Sequence, residues 1–389
     1  SPRGRIALLR ALARDDLPLT PQLESHLDLC LTCRNCERVC PANVAYGRLI
    51  DSGRAFIEAR RPRPFVERLL RKLTMDMLIA KPSNLRRFAQ MLRLYQKSGL
   101  QRFLRIIYLL RLFGLDRWDR QLPPIPPQPA WRESYPAQAP RRGCVALFIG
   151  CVTAITDRPT LLAAIHILNR LGYDVHVPRG QVCCGALHQH GGEAKTAVSL
   201  MQRNIDVFDA ERVDAIISTA SGCGAMLAEY ADCLPHESRV RAFSVKVRDI
   251  SHFVCDSVWP ADTRLAPSTA CIAVHDPCTL SNVLHDERYI YRLLERIPGV
   301  EVYPLPDNNL CCGAAGAYVL TQAKMANRLR ANKLQALTQC APDVITTSNI
   351  GCALHLQHGI REIGLNIEVL HPIVLIQRQL QAASSKESY

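Results

Sequence analysis

Residues 30–41 read CLTCRNCERVCP, which sets Cys30, Cys33, Cys36 and Cys40 ahead of Pro41 in a C-x2-C-x2-C-x3-C-P array. Soft thiolates are the ligands of iron–sulfur clusters. Two successive short steps let three of them wrap three corners of one cubane, while the fourth, set off by a turn-forming proline, points away toward a second cluster. Structural zinc is the competing chemistry, but its cysteines usually come as two separated C-x2-C pairs. Four cysteines within twelve residues are not the scatter of small core residues. This array is therefore read as the strongest metal site of the chain, a 4Fe–4S centre able to move one electron at a time. The array occurs once. Either Cys40 closes a single local cluster, or a companion array precedes Ser1; because the first residue is Ser rather than Met, the expectation is a fragment.

A second set of cysteines repeats. FIGC with Cys151, VCCG with Cys183 and Cys184, and TASGC with Cys223 are matched by HDPC with Cys278, LCCG with Cys311 and Cys312, and SNIGC with Cys352. Near-equal gaps between equivalent cysteines in the two halves point to duplication. Adjacent cysteines do not easily join in a relaxed disulfide, yet on a turn both can face one metal cluster. Gly185 and Gly313 suit such a turn, and nearby backbone N–H groups can donate to cluster sulfurs. Each half thus offers four thiols as cofactor ligands, and whether both halves hold a cluster stays open.

The elements that must position these thiols follow from the pattern around them. Val145–Ile149 and Ile272–Val274 look like strands leading to Cys151 and Cys278. Tyr173–Val177 and Val300–Tyr303 lead to the Cys-Cys-Gly turns, and Ala215–Ser218 and Val344–Thr347 to Cys223 and Cys352. Strands alternating with helical stretches predict parallel sheets, with the thiols at strand C-terminal ends. The expected fold class is α+β/α/β: an N-terminal helical, ferredoxin-like 4Fe–4S domain, truncated, and then two α/β cysteine-rich domains. The boundaries read as 1–59 for the partial ferredoxin-type domain, 60–140 for a basic helical segment and a proline-rich linker, and 141–266 and 267–389 for the repeats.

Composition narrows the class. The chain has 389 residues, 17 cysteines and a net charge of +13. An odd, clustered set of thiols in a long chain fits metal ligation better than a secreted disulfide framework, so a reducing, cytoplasmic location is expected. No uninterrupted apolar run reaches the ~18–20 residues of a spanning helix. Residues 60–120 hold 16 Lys and Arg against 4 Asp and Glu. With Leu85, Phe88, Met91, Leu92 and Tyr95 at helical spacing, and Leu100, Phe103, Leu104, Ile107 and Leu110 further on, this segment could lie peripherally on the inner face of the cell membrane, contact a quinone, or dock an acidic partner. It could equally be a solvated helical face around a core. No nucleic-acid-binding module accompanies the charge.

SPRGRI at residues 1–6, CLTCRNCERVCP, TASGCG at 219–224, HDPCTL at 275–280, LCCGAAGAY at 310–318 and NIGC at 349–352 resemble the iron–sulfur subunits of glycolate oxidase (glycolate dehydrogenase), within the wider Cys-Cys-Gly cysteine-rich family. The resemblance runs over nearly the whole chain. It implies an electron-transfer subunit of an oxidoreductase in glycolate catabolism. FAD would sit on partner glycolate oxidase subunits, and electrons would pass from there toward quinone or another acceptor. No residue of this chain is expected to be catalytic, since no G-x-G-x-x-G fingerprint opens a helix here. The alternatives are a sister complex acting on lactate or glycerol-3-phosphate, or a non-redox metal-binding scaffold. Heterodisulfide-reductase-type repeats carry one more cysteine, at the positions of Ala220 and Asn349, so a four-cysteine cluster is at least as fitting here as a five-cysteine one.

Several residues have plain readings. Cys144, Cys233, Cys255, Cys271 and Cys340 are expected as buried small hydrophobes. His188 and His190 are expected on a polar rim near the first Cys-Cys-Gly turn, and His275 near Cys278.

Overall fold

The computed structural model describes residues 1–235 and 237–386. Among these, β1 (Ser134–Tyr135), β2 (Gly143–Phe148), β3 (Tyr173–His176), β4 (Ala215–Ser218) and β5 (Val247–Asp249) form one sheet in the order β1-β3-β2-β4-β5. A second sheet contains β6 (Cys271–Val274), β7 (Glu301–Pro304), β8 (Val344–Thr346) and β9 (Glu368–Leu370), in the order β7-β6-β8-β9. All pairings are parallel except that of β1 with β3. Without β1 the two orders match strand for strand, so the duplicated cysteine gaps reflect a duplicated fold. The central strands are apolar because helices cover both faces: Val145, Leu147, Ile217, Ile272 and Val274 are all buried.

The repeats interlock. The helix Arg158–Arg170 after β2 packs on the last helix, Pro372–Lys386, while Ile250–Asp256 after β5 packs on Glu287–Leu294 of the second unit. One core results, with Leu161, Leu168, Ile250 and Val254 meeting Leu293, Leu294, Ile373 and Ile376. At roughly 1.5–3 kcal/mol for each large side chain buried, this shared surface couples the stability of one repeat to the other.

Both last helices start at a buried polar residue. Asp249 Oδ1 accepts from the Ser251 N–H at 2.8 Å, and His371 Nδ1 accepts from the Ile373 N–H at 3.1 Å. Burial, helped by Asp286 and opposed by the Ser251 hydrogen bonds and His252, pushes the Asp249 carboxyl up to about 7. The folded protein therefore holds a proton that the unfolded chain releases, and stability present at low pH is lost as pH rises through about 7. Between pH 6 and pH 8 the loss is expected to be about 1.4 kcal/mol, and His252, held up by Asp286, acts in the same direction. Asp249→Asn keeps the cap and should flatten this slope, as read from anaerobic denaturant midpoints at the two pH values.

Ahead of the repeats, helices Pro2–Ala13, Pro21–Asp28, Asn35–Arg38 and Tyr46–Arg60 enclose a small core of Leu12, Leu23, Leu27, Tyr46, Ile50 and Ile57. The basic segment follows as Phe65–Arg71, a π-helical stretch Lys72–Ile79, Pro82–Lys97, Leu100–Ile106, Leu109–Leu112 and Asp116–Gln121. Of its expected apolar stripe, Leu85 is buried, whereas Phe88 and Met91 are exposed. Within the proline-rich linker, residues 122–133 have no regular secondary structure and form a packed strap. Ile125 is buried, and the Arg158 guanidinium stacks 3.6 Å from the Trp131 ring centre. The strap ends in β1, which sequence alone did not show. β1, β5 and β9 are edge strands of two or three residues, too short to carry a periodic signal.

Candidate metal centres

The C-terminal ends of β2, β3 and β4 deliver Cys151, Cys183, Cys184 and Cys223 to one place. Cys151 Sγ lies 3.6 Å from Cys183 Sγ. Cys184 interacts with both Cys183 and Cys223. Cys151 caps the helix Val152–Thr156, and Cys223 lies in the first turn of Ser221–Ala228, so positive helix ends face the thiols. The Cys-Cys turn is held from behind. Asn204 Oδ1 accepts from the Val182 N–H at 2.9 Å and its Nδ2 donates to the Cys183 carbonyl at 3.1 Å, while the Tyr230 hydroxyl donates to the Cys184 carbonyl at 2.8 Å. A side chain on Gly150 would come within 3.7 Å of Cys223 Sγ, which leaves room beside the thiols.

The second repeat builds the same set with other supports. Cys278 contacts Cys311, and Cys312 contacts both Cys311 and Cys352. The Gly313 N–H points at Cys311 Sγ, 3.4 Å away. Where the first repeat uses Asn204, the second buries Lys333, whose Nζ donates to the Asp307 carbonyl and whose charge acts on Cys311 and Cys312. His275 is also buried, and its ring lies with Cys312 and Cys352 in a group whose ligand atoms are within 4.8 Å of one another. Burial, and then Lys333, push this imidazole down to about 3, so it is neutral.

In the N-terminal array the backbone wraps tightly: Thr32, Arg34 and Asn43 all have left-handed φ values, of 52°, 56° and 47°. Cys30, Cys33 and Cys36 act on one another, and Tyr46 Oη donates toward Cys30 Sγ at 3.7 Å. At Cys40 the N–H groups of Val44, Ala42 and Asn43, together with Arg3, lower the thiol's pKa. The array faces the second repeat: Cys278 is among the charges acting on Cys33, and Asn282 Nδ2 donates to the Cys33 carbonyl at 2.7 Å. Tyr318, with its buried hydroxyl, feels both Cys30 and Cys311. The repeats meet near their own thiols, where Ser221 Oγ lies 2.9 Å from Thr279 Oγ1.

These surroundings fit a polynuclear thiolate-bound centre. All cysteines are free of disulfides. Contact with Cys183 and burial drive the Cys151 thiol well above its usual range; Cys311 and burial do the same to Cys278. So many buried sulfurs deprotonate together only if a compact positive charge compensates them, as iron does in an iron–sulfur cluster.

The remaining expectations divide. His190 bonds Asp51 at 3.0 Å, tying the N-terminal helices to the first repeat, whereas His188 is fully buried and lines no rim. Of the spare cysteines only Cys255 is buried; Cys144, Cys233, Cys271 and Cys340 are half-exposed. Cys144 and Cys271 open β2 and β6, at the strand ends opposite the thiol sets. Asn204, Tyr230, Lys333, Tyr46 and Tyr318 were missed. Asn204 and Lys333 had a readable signal, a polar residue on the apolar stripe of an amphipathic helix.

Comparison with known proteins agrees with this layout. The model of a family described as "Cysteine-rich domain" matches residues 145–228 and 272–357, and one described as "Glycolate oxidase iron-sulfur subunit, linker region" matches residues 66–121. A Bacillus subtilis (strain 168) protein named "Probable glycolate oxidase iron-sulfur subunit" is 34% identical over 397 residues, spanning 100% of this chain and 89% of the relative. The Escherichia coli (strain K12) "Glycolate oxidase iron-sulfur subunit" is 32% identical, spanning 98% of this chain and 88% of the relative. "Lactate utilization protein A" of Anoxybacillus flavithermus is 26% identical over 58% of this chain. With two buried thiol sets on a duplicated fold and end-to-end similarity of this kind, the chain belongs to the family of glycolate oxidase iron–sulfur subunits.

Proposed function

We propose that this protein carries electrons within a flavin-linked glycolate oxidase complex, from a partner subunit holding FAD toward quinone or another acceptor. An iron–sulfur cluster, when bound, takes up and releases one electron at a time. Residues 1–59 would form a partial ferredoxin-type domain whose Cys30, Cys33, Cys36 and Cys40 serve as 4Fe–4S ligands, Cys40 either closing the cluster of the other three or serving a second one. The repeats 141–266 and 267–389 would hold further clusters through Cys151, Cys183, Cys184 and Cys223, and through Cys278, Cys311, Cys312 and Cys352. The observation that carries this reading is the contiguity of the thiol sets, Cys33 beside Cys278 and Ser221 beside Thr279, which shortens the path between successive centres. The chain's own residues position and insulate: Tyr46 donates to a ligand sulfur, and Asn204 and Tyr230 fix the thiol turn.

The test is anaerobic purification with the flavoprotein partners, iron and acid-labile sulfide counts, and low-temperature EPR. Glycolate is expected to produce reduced-cluster signals. Signals with lactate or glycerol-3-phosphate alone would move the chain to a sister complex, and zinc without sulfide would overturn the redox reading.

We further propose that the basic segment lies on an anionic membrane surface. No helix among the described residues is long and apolar enough to cross a membrane, yet Phe103, Ile106, Ile107, Leu112, Phe113 and Trp118 are all exposed among Arg102, Arg111 and Arg120. Basic charge attracts the leaflet while apolar side chains enter it. The protein is expected to sediment with phosphatidylglycerol vesicles and not with neutral ones. Salt should release it, and a Leu112→Glu/Phe113→Glu variant should bind several-fold more weakly. Equal binding by that variant would refute the contact.

A further inference from the structure

A second kind of metal-binding group lies outside the thiol sets. His188, on the short helix Ala186–His190 just past the first Cys-Cys-Gly turn, is fully buried. Its Nε2 faces Asp76 Oδ1 at 3.9 Å and Glu193 Oε2 at 3.7 Å. The three ligand atoms lie within 4.8 Å of one another, a spread that one cation could bridge. Among the described residues neither His188 ring nitrogen, nor Asp76 Oδ1, nor Glu193 Oε2 makes a hydrogen bond of good geometry, and all four atoms are buried. The Met75 carbonyl lies near the ring, the kind of partner that commonly orients a ligating imidazole from its other nitrogen.

With one ring nitrogen directed to the Met75 carbonyl, the other, Asp76 Oδ1 and Glu193 Oε2 remain, and leaving such buried atoms unmatched costs a fold about 1–3 kcal/mol each, so something should satisfy them. A protonated His188 paired with the two carboxylates is the simplest candidate, but its Nε2 stands 3.9 Å from Asp76 Oδ1 and 3.7 Å from Glu193 Oε2, too far to hydrogen-bond either and a spread that suits a cation between them. Arg71 does not fill the gap either. Its guanidinium binds Glu193 Oε1, Glu58 and the Gly191 carbonyl, which orients Glu193 with Oε2 toward His188. Asp76 comes from the π-helical stretch Lys72–Ile79, a geometry frequently found at functional sites.

We propose that Asp76, His188 and Glu193 bind one divalent first-row transition cation. The set is one imidazole and two carboxylates, a nitrogen–oxygen environment suited to Mn²⁺ or Fe²⁺ rather than to the soft metals that thiolates select. The cation pins the basic segment, through Asp76, to the helix that follows Cys183, Cys184 and Gly185, so it couples a surface element to the geometry of the first thiol turn. This site is independent of whether the thiol sets carry electrons.

Mn²⁺ is the probe, since it has little affinity for thiolates. The cluster-loaded protein is titrated anaerobically with MnCl₂ while room-temperature EPR follows the six-line signal of the free ion. One Mn²⁺ per chain is expected to leave that signal. His188→Ala, Asp76→Asn and Glu193→Gln are each expected to weaken binding by about ten-fold or more. The latter two are near-isosteric, so unchanged visible cluster absorbance would show that they are folded even if His188→Ala is not. An undiminished free-ion signal with the unaltered protein, or full-strength binding by folded Asp76→Asn and Glu193→Gln, would overturn the site.

Discussion

Cys184→Ala and Cys312→Ala are each expected to strip one repeat of its cluster and to cut glycolate-driven electron delivery to background. Each is the second thiol of its pair, each is buried, and each touches two other thiols of its set. Removing it takes away one ligand of about four and leaves the others in a pocket too dry to hold separate thiolates. Iron and acid-labile sulfide should fall by one cluster's share in each single variant, and by two shares in the double. Cys255→Ala is the control. That thiol is equally buried but belongs to no set, so metal content should hold while stability drops by about 1 kcal/mol. Parallel iron, sulfide and EPR measurements on the variants decide the matter. Full iron content in both Cys184→Ala and Cys312→Ala would mean that the Cys-Cys-Gly thiols ligate nothing.

The second large effect separates two glycines that look alike in sequence. Gly185 and Gly313 follow the paired cysteines with φ values of +90° and +91°, so alanine at either is strained by about 1–2 kcal/mol. The surroundings then diverge. A Cβ on Gly185 would sit 3.4 Å from the Ala197 carbonyl oxygen, an ordinary contact. On Gly313 it would fall 2.6 Å from the Ala326 carbonyl oxygen and 3.0 Å from Ala326 Cα. Backbone cannot give way as a side chain can, so the helix Ala323–Cys340 would have to move off the thiol turn. Gly313→Ala is therefore expected to cost about 3 kcal/mol or more and to lower iron loading in the second repeat, against about 1–2 kcal/mol and near-normal loading for Gly185→Ala. Denaturant midpoints and iron counts on both proteins check this, and equal losses would contradict the packing argument.

The amino-acid sequence by itself determined which thiols could share a metal centre. Thiol type and spacing are local properties: Cys30, Cys33 and Cys36 are bound to meet because two-residue steps leave the chain little else to do, and each Cys-Cys-Gly turn follows from its own residues. The duplication, the six strands that lead to the thiol motifs and their parallel pairing were legible for the same reason, since each strand is a short run directly ahead of a motif. Tertiary structure decided what depends on partners distant in the chain. It brought Cys33 under the influence of Cys278 and interlocked the final helix of each repeat with a helix of the other. It gave matching positions different support, Asn204 in one repeat and Lys333 in the other, and carried His188 into a buried meeting with Asp76. Spacing along a chain constrains only what a few bonds can reach. Which buried group faces which is settled by packing, where the exclusion of water makes each unpaired polar atom costly enough to dictate its neighbours.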